Sequence, residues 1–379
     1  MFESSAGPNA GLVGRPAEDF ARDAATPALC IEFDGFSANL AAMQALASAA
    51  GKALRPHMKA HKCGRIAALQ QAAGAIGISC ATAKEVEAAA VAGISSILLT
   101  TPVVSPMVLG RIVQLASAGP EVIVVVDTVT AADLAAAAAT AAGTRLGVLI
   151  DINVGQNRTG VSDAAGAVAL ARHLATLPSL RLLGVQAYYG NLQHVPTLAE
   201  RERLIAVQLG LLNSILDALQ QDGHAVGIVS GGGTGTAEID LKIGPFTEIQ
   251  AGSYLFMDDQ YLAIERHDVR LEPTLTVLTR VTSDAVAGQV VVDAGAKALS
   301  TDPAKARLAG AVPQQPEHRF MGDEHSALRY APGATRPAVG QLLSIIATHC
   351  DPTVNLHDRF HIMQDGRLID IWPLDARGY

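Results

Sequence analysis

Residues 122–150 read VIVVVDTVTAADLAAAAATAAGTRLGVLI. Val122–Val126 is a β-branched run too short for a helix, and an alanine-rich stretch with helical spacing follows from Thr130. Gly143 then breaks the chain before a second apolar run, Leu146–Ile150. One strand, one helix and a further strand in under thirty residues is a β/α unit, and the same rhythm runs outward in both directions. Upstream, strands are predicted at Ala53–Met58, Ala75–Ser79 and Ser96–Thr100; downstream, at Leu182–Ala187, Val226–Ser230 and Glu248–Gln250. Helices are predicted from Arg65, Lys84, Pro106, Asp163, Leu198 and Ala237. Eight such strands, all parallel, need helices on both faces or around the outside, and closure as an α/β (β/α)₈ TIM barrel over residues 28–268 is the economical solution. A doubly wound open sheet is the competing architecture. Beyond residue 268 the texture changes to β-branched runs at Leu275–Thr282 and Gln289–Asp293, and Asp365-Gly366 joins His361–Gln364 to Arg367–Asp370 as a hairpin. Residues 269–379 therefore form a C-terminal antiparallel β domain, against which residues 1–27 are expected to pack.

The 379 residues carry 36 acidic and 28 basic side chains, a net charge of −8. No basic field exists to hold a phosphate backbone, so nucleic acid is not an expected partner. Mean hydropathy is +0.27, but the excess is mostly alanine, and no run reaches the roughly 20 apolar residues of a membrane span. The start lacks the basic and apolar stretches of a secretory signal, so cytoplasmic residence is expected. Cysteines at 30, 63, 80 and 350 show no paired spacing and read as reduced thiols.

Chemistry concentrates at four places. In Arg55-Pro56-His57-Met58-Lys59-Ala60-His61-Lys62, strand alternation would set Arg55, His57, Lys59 and His61 on one face. Crowding by cations and desolvation both lower a lysine pKa, which suits Lys59 to Schiff-base chemistry; the alternative is a solvated basic loop. Ser230-Gly231-Gly232-Gly233-Thr234-Gly235-Thr236 follows a predicted strand and can converge backbone N–H groups on a phosphate. It has neither a P-loop lysine nor dinucleotide spacing, so a small phosphorylated cofactor fits better than ATP or NAD; a plain flexible loop is the alternative. Gly252-Ser253-Tyr254 could add N–H groups from the next strand tip. Arg158, in Gly155-Gln156-Asn157-Arg158-Thr159-Gly160, could hold an oxyanion or serve as a structural ion-pair partner. Lastly, His349-Cys350-Asp351-Pro352, if extended, would aim His349 and Asp351 the same way toward one divalent ion, Mn²⁺ before Mg²⁺ or Zn²⁺. An isolated His-x-Asp is otherwise an ordinary turn.

Together with Asp293-Ala294-Gly295-Ala296-Lys297-Ala298, Trp372 and Asp375-Ala376-Arg377-Gly378, these stretches resemble the fold-type III pyridoxal-phosphate enzymes, in the branch of D-threonine aldolases and D-serine dehydratase-like proteins. The resemblance spans nearly the whole chain and implies an alanine-racemase-like barrel with a β domain. It implies pyridoxal phosphate on Lys59, Arg158 near the phenolic oxygen, and Thr234, Gly252 and Tyr254 at the phosphate, with His57, Tyr189, Ser230, Gly232 and Ser253 completing the cofactor contacts. His349 and Asp351 look like the aldolase metal pair; dehydratase relatives carry His-x-Cys instead. Implied, then, is metal-dependent retro-aldol cleavage of D-β-hydroxy-α-amino acids, D-threonine giving glycine and acetaldehyde. His194 is the candidate group at the substrate hydroxyl and His61 the second. The small-molecule substrate is an amino acid, and a homodimer is the family habit. Dehydration of D-serine or D-threo-3-hydroxyaspartate is the alternative activity, and a pyridoxal-phosphate carrier protein is the alternative outside enzymes.

Overall fold

The computed structural model describes residues 7–302, 306–310 and 312–378. The described residues divide into two compact units, one of residues 41–252 and 264–270, the other built from residues 7–40, 253–263 and the described residues from 271 to 378.

In the first unit, eight parallel strands run in the order Ala53–Leu54, Glu248–Ile249, Ile228–Gly231, Leu180–Ala187, Leu146–Ile152, Glu121–Val126, Ser96–Leu99 and Ile78–Cys80. The two ends of that series meet. His57 bridges Ser79 in parallel, and Ser79 N–H donates to Pro56 O at 2.8 Å, so the sheet closes into a ring rather than staying open. Leu98, Ile123, Val125 and Leu149 form a buried cluster, with Leu183 and Ile228 packed against it. The helices start where a side chain can satisfy an orphan N–H: Thr82, Ser105, Thr128, Asp163 and Thr197 each accept from the backbone three residues on, as N-caps do.

The second unit is a nine-stranded sheet with the main path Glu317–Phe320, Ser326–Arg329, Gln289–Val292, Leu275–Ser283, Ala28–Glu32, Arg359–Gln364 and Arg367–Pro373. The strand Leu342–Ile346 joins it beside Leu275–Ser283 and pairs with Arg307–Leu308. This moves the expected boundary. Ala28–Glu32, placed with the barrel by its position in the sequence, pairs antiparallel with Leu275–Ser283 and parallel with Arg359–Gln364. Residues 253–263 likewise belong to the β unit. Leu12, Phe20 and Ala24 share a buried cluster with Ala28, Cys30, Leu278, Met363 and Leu368, so the described part of the N-terminal segment packs within this unit; residues 1–6 lie outside the described residues. Asp365 and Gly366 adopt φ 50° and 72°, the left-handed pair a two-residue hairpin requires.

Candidate active site

Because the ring strands are parallel, their carboxyl ends share one rim, and the segments carrying Lys59, Arg158, Thr234 and Gly252 leave the strands there. The first strand is regular only over Ala53–Leu54. Its ladder toward the neighbouring strand continues through Arg55 N–H to Ile249 O and His57 N–H to Ala251 O, after which Met58–Ala60 closes into a 3-10 turn. The alternation expected through Met58 and beyond therefore stops at His57, and Arg55, His57, Lys59 and His61 do not share a strand face.

The cations Arg55 and Lys62, near Lys59 in sequence, are each matched by a carboxylate. The Arg55 guanidinium binds Glu248 through two bonds of 2.8 and 3.1 Å, with both side chains under 5% exposed. Lys62, at φ 52°, donates to buried Glu85 at 2.8 Å. The flanking histidines are fixed as well. Thr100 Oγ1 donates to Cys80 O, so it accepts from His57 Nε2 at 3.1 Å, leaving His57 Nδ1 to accept the Lys59 N–H at 3.3 Å. In His61, Nδ1 accepts from Cys63 N–H and Nε2 faces Gln70 Oε1 at 3.2 Å. Both rings are held as neutral tautomers that shape the turn, and His61 is fully buried. Gly252 packs against this turn: a Cβ there would lie 2.9 Å from His57 O and 3.4 Å from Ala60 Cβ, so only glycine lets the two segments pass.

Two strands along the ring, a lateral step of about 10 Å, the glycine loop leaves the strand Ile228–Gly231. Gly232 takes φ 68°, which favours glycine. Gly235 N–H donates to Gln193 Oε1 at 3.0 Å, and Gly233 N–H donates to Thr236 Oγ1 at 3.1 Å. Thr234 is 2% exposed, and its Oγ1 is buried with no hydrogen-bond partner. Native proteins rarely leave such a group orphaned. A hydroxyl without a partner in a glycine nest fits a phosphate, which supplies the missing acceptor, so these residues suit the cofactor the resemblance implies.

The other candidates are less uniform. Ser230 Oγ, also buried, accepts from Gln250 Nε2 at 2.8 Å, within a polar chain that continues through Gln186 to Asp151 and Thr100 O. Burial pushes the Asp151 carboxyl upward despite hydrogen bonds from Thr159 and Gln186. Tyr189, expected at the cofactor, donates its hydroxyl to Asp240. Arg158 is exposed and lies over the Tyr188 ring, 5.6 Å from its centroid. His194 is exposed on the loop after the Leu180–Ala187 strand. Ser253 and Tyr254, both buried, belong to the second unit in the 3-10 turn Ser253–Leu255.

In the second unit the His349-x-Asp351 segment is not extended. His349 is the cap residue of the helix Cys350–Asn355, and Asp351 lies in its first turn, so alternation does not set their directions. No cluster of three or more metal-ligating side chains occurs among the described residues. His349 Nδ1 is nevertheless held by Asp302 Oδ2 at 2.5 Å. A carboxylate on one ring nitrogen fixes the other as a lone-pair donor, which suits a two-ligand site completed by water.

Residues 31–260 match the alanine racemase N-terminal domain family, and residues 274–363 match the putative serine dehydratase domain family. A D-threonine aldolase from Arthrobacter sp is 39% identical over 96% of this chain and 96% of that one. The chain belongs to the D-threonine aldolase and serine dehydratase-like family. The crystal structure of D-threonine aldolase from Filomicrobium marinum matches with a TM-score of 0.91 at 35% identity, over 94% of this chain and 96% of that one. A D-threo-3-hydroxyaspartate dehydratase from Delftia sp. (strain HT23) is 34% identical over 86% of this chain and 91% of its own. This family member is a lyase, and matches across both of its units set aside the carrier alternative. Its structure also contains parts that motif reading missed: Glu248, Gln193 and Asp240. For Asp240 the sequence signal is its spacing of four from Thr236 at the start of one short helix.

Proposed function

We propose that the chain uses pyridoxal phosphate on Lys59, with a divalent ion on His349 and Asp351, to cleave D-β-hydroxy-α-amino acids between Cα and Cβ. D-Threonine would give glycine and acetaldehyde. The observation that supports this best is the pairing, on one rim, of an amine-bearing turn with a glycine loop whose buried Thr234 hydroxyl has no protein partner. Bound to that lysine, the cofactor supplies an electron sink for the pair left at Cα.

The chain's residues supply the rest. The Thr234 hydroxyl donates to the phosphate from a loop held in shape by Gln193 and Thr236, and Gly252 leaves space for the Lys59 turn. His57, locked between Thr100 and the Lys59 N–H, keeps the amine at the strand end. Arg158 offers a guanidinium to the phenolic oxygen. His194 takes the proton of the substrate β-hydroxyl, and a divalent ion, Mn²⁺ by preference, supplies Lewis acidity to that hydroxyl. Asp351 in the third position, rather than cysteine, favours the aldolase over the dehydratase. A homodimer is part of the same reading.

One assay decides between the activities. Purified protein with pyridoxal phosphate and Mn²⁺ is given D-threonine, L-threonine and D-serine, and all products are identified. Glycine and acetaldehyde from D-threonine alone support the aldolase, whereas oxo acid and ammonia from D-serine support the dehydratase. Lys59→Ala should lose both the imine absorbance and turnover; a variant that keeps the absorbance removes Lys59 from its role.

A further inference from the structure

Behind the glycine loop lies an acid that the proposed reaction does not use. Asp240 is fully buried on the helix Ala237–Ile243. Its Oδ1 accepts from the Tyr189 hydroxyl, and its Oδ2 accepts from Thr236 Oγ1 at 2.5 Å. Thr236 Oγ1 in turn accepts the Gly233 N–H. A Cβ on Gly232 would sit 2.4 Å from Asp240 Oδ2, so the carboxyl group touches the loop backbone itself. Among the described residues, no cation pairs with it directly. The Lys52 ammonium packs nearby but donates to the carbonyl oxygens of Asp240 and Gly244, at 3.4 and 2.5 Å.

We propose that Asp240 is a positioning residue for the glycine loop, acting through Thr236 and Tyr189, and that anchoring an anionic phosphate on this loop is linked to uptake of one solvent proton by its carboxyl group. The inference rests on the loop being the phosphate cradle proposed above. A carboxylate and a phosphate against the same loop repel, and protonating the acid removes that repulsion. The neutral acid keeps its place, because it can donate to one of the two hydroxyl oxygens it otherwise accepts from. Burial pushes the Asp240 carboxyl up to about 7, against the lowering effects of Thr236, Tyr189, Lys52 and the Gly233 N–H, so the acid is poised to change state near neutrality.

The sign follows from linkage. Below about pH 7 the acid is already protonated and loading costs no proton. Above it, loading must take one up, and affinity falls by at most about tenfold per pH unit. The test titrates apoprotein with pyridoxal phosphate from about pH 6 to about pH 9, following imine absorbance and counting protons by calorimetry in two buffers of different ionisation enthalpy. Wild type should show an alkaline loss of affinity and a proton uptake that Asp240→Asn lacks, and pyridoxal, without a phosphate, should show neither difference. Equal slopes and proton counts in the two proteins overturn the inference while leaving the cofactor reading intact. A wild type that binds no pyridoxal phosphate at any pH overturns both. Should Asp240→Asn fail to fold, Tyr189→Phe provides the second arm. Losing one donor to the carboxylate should move the break in affinity to higher pH, and an unmoved break overturns the proposal.

Discussion

Glu248 and Asp240 are both buried carboxylates of the barrel unit, 2% and 0% exposed, and they meet different partners. Glu248 receives a guanidinium in bidentate geometry from Arg55, so its charge is matched where it sits. Asp240 receives two hydroxyls, while the nearest ammonium turns to backbone carbonyls. The first arrangement holds a charge permanently and fits a structural role beside Lys59. The second leaves the charge optional and sits behind the loop that suits a phosphate.

The largest effect expected from this contrast is on stability. Glu248→Gln strands the Arg55 guanidinium in the interior and should cost about 3–5 kcal/mol, measured by denaturant unfolding; a loss below about 1 kcal/mol would show that the pair is not the anchor of the Lys59 turn. Asp240→Asn should behave differently, because its wild-type partner is mostly a proton. A carboxyl raised to about 7 binds more protons folded than unfolded between about pH 4 and 7, so wild-type stability should fall as pH rises through that window. The loss is at most about 4 kcal/mol at 1.36 kcal/mol per unit, and it should be absent in Asp240→Asn. Identical pH profiles would place Asp240 with Glu248 as a permanently charged group. The smallest effect belongs to Thr234→Ala, which removes only the orphaned hydroxyl and should weaken pyridoxal-phosphate binding by about tenfold; unchanged binding would mean that the phosphate lies elsewhere.

Much of this was legible in the residue order. The alternation of β-branched runs and alanine-rich stretches is a local signal, and it located all eight ring strands and the helices between them to within a few residues. The positions of the glycine loop and of the Lys59 turn at strand ends were legible too, because glycine runs and strand ends carry meaning without knowledge of neighbours. What could not be read depends on partners remote in sequence. Arg55 and Glu248 lie 193 residues apart, so a cation that looked free to crowd Lys59 is matched by a carboxylate that only the closed ring delivers. The bond from the Tyr189 hydroxyl to Asp240 spans 51 residues and has no local signal. His349-x-Asp351 reads as extended until a helix begins between them, and Ala28–Glu32 reads as a barrel strand because sheet membership is a tertiary property.

The ring's closure holds one more consequence. Where Ala53–Leu54 meets Ile78–Cys80, the junction consists of a single bridge, the bonds from Ile76 N–H to Leu54 O and Ser79 N–H to Pro56 O, and the Ser79 hydroxyl on Arg55 O. Proline at 56 can donate nothing to this seam. The staves of this cask are joined beside the lysine by a single bridge, and deuterium should enter the barrel early there. A guest gripping both the Lys59 turn and the glycine loop would fasten the first stave from its other side, across Glu248–Ile249 to Ile228–Gly231, and so slow that entry without touching the seam.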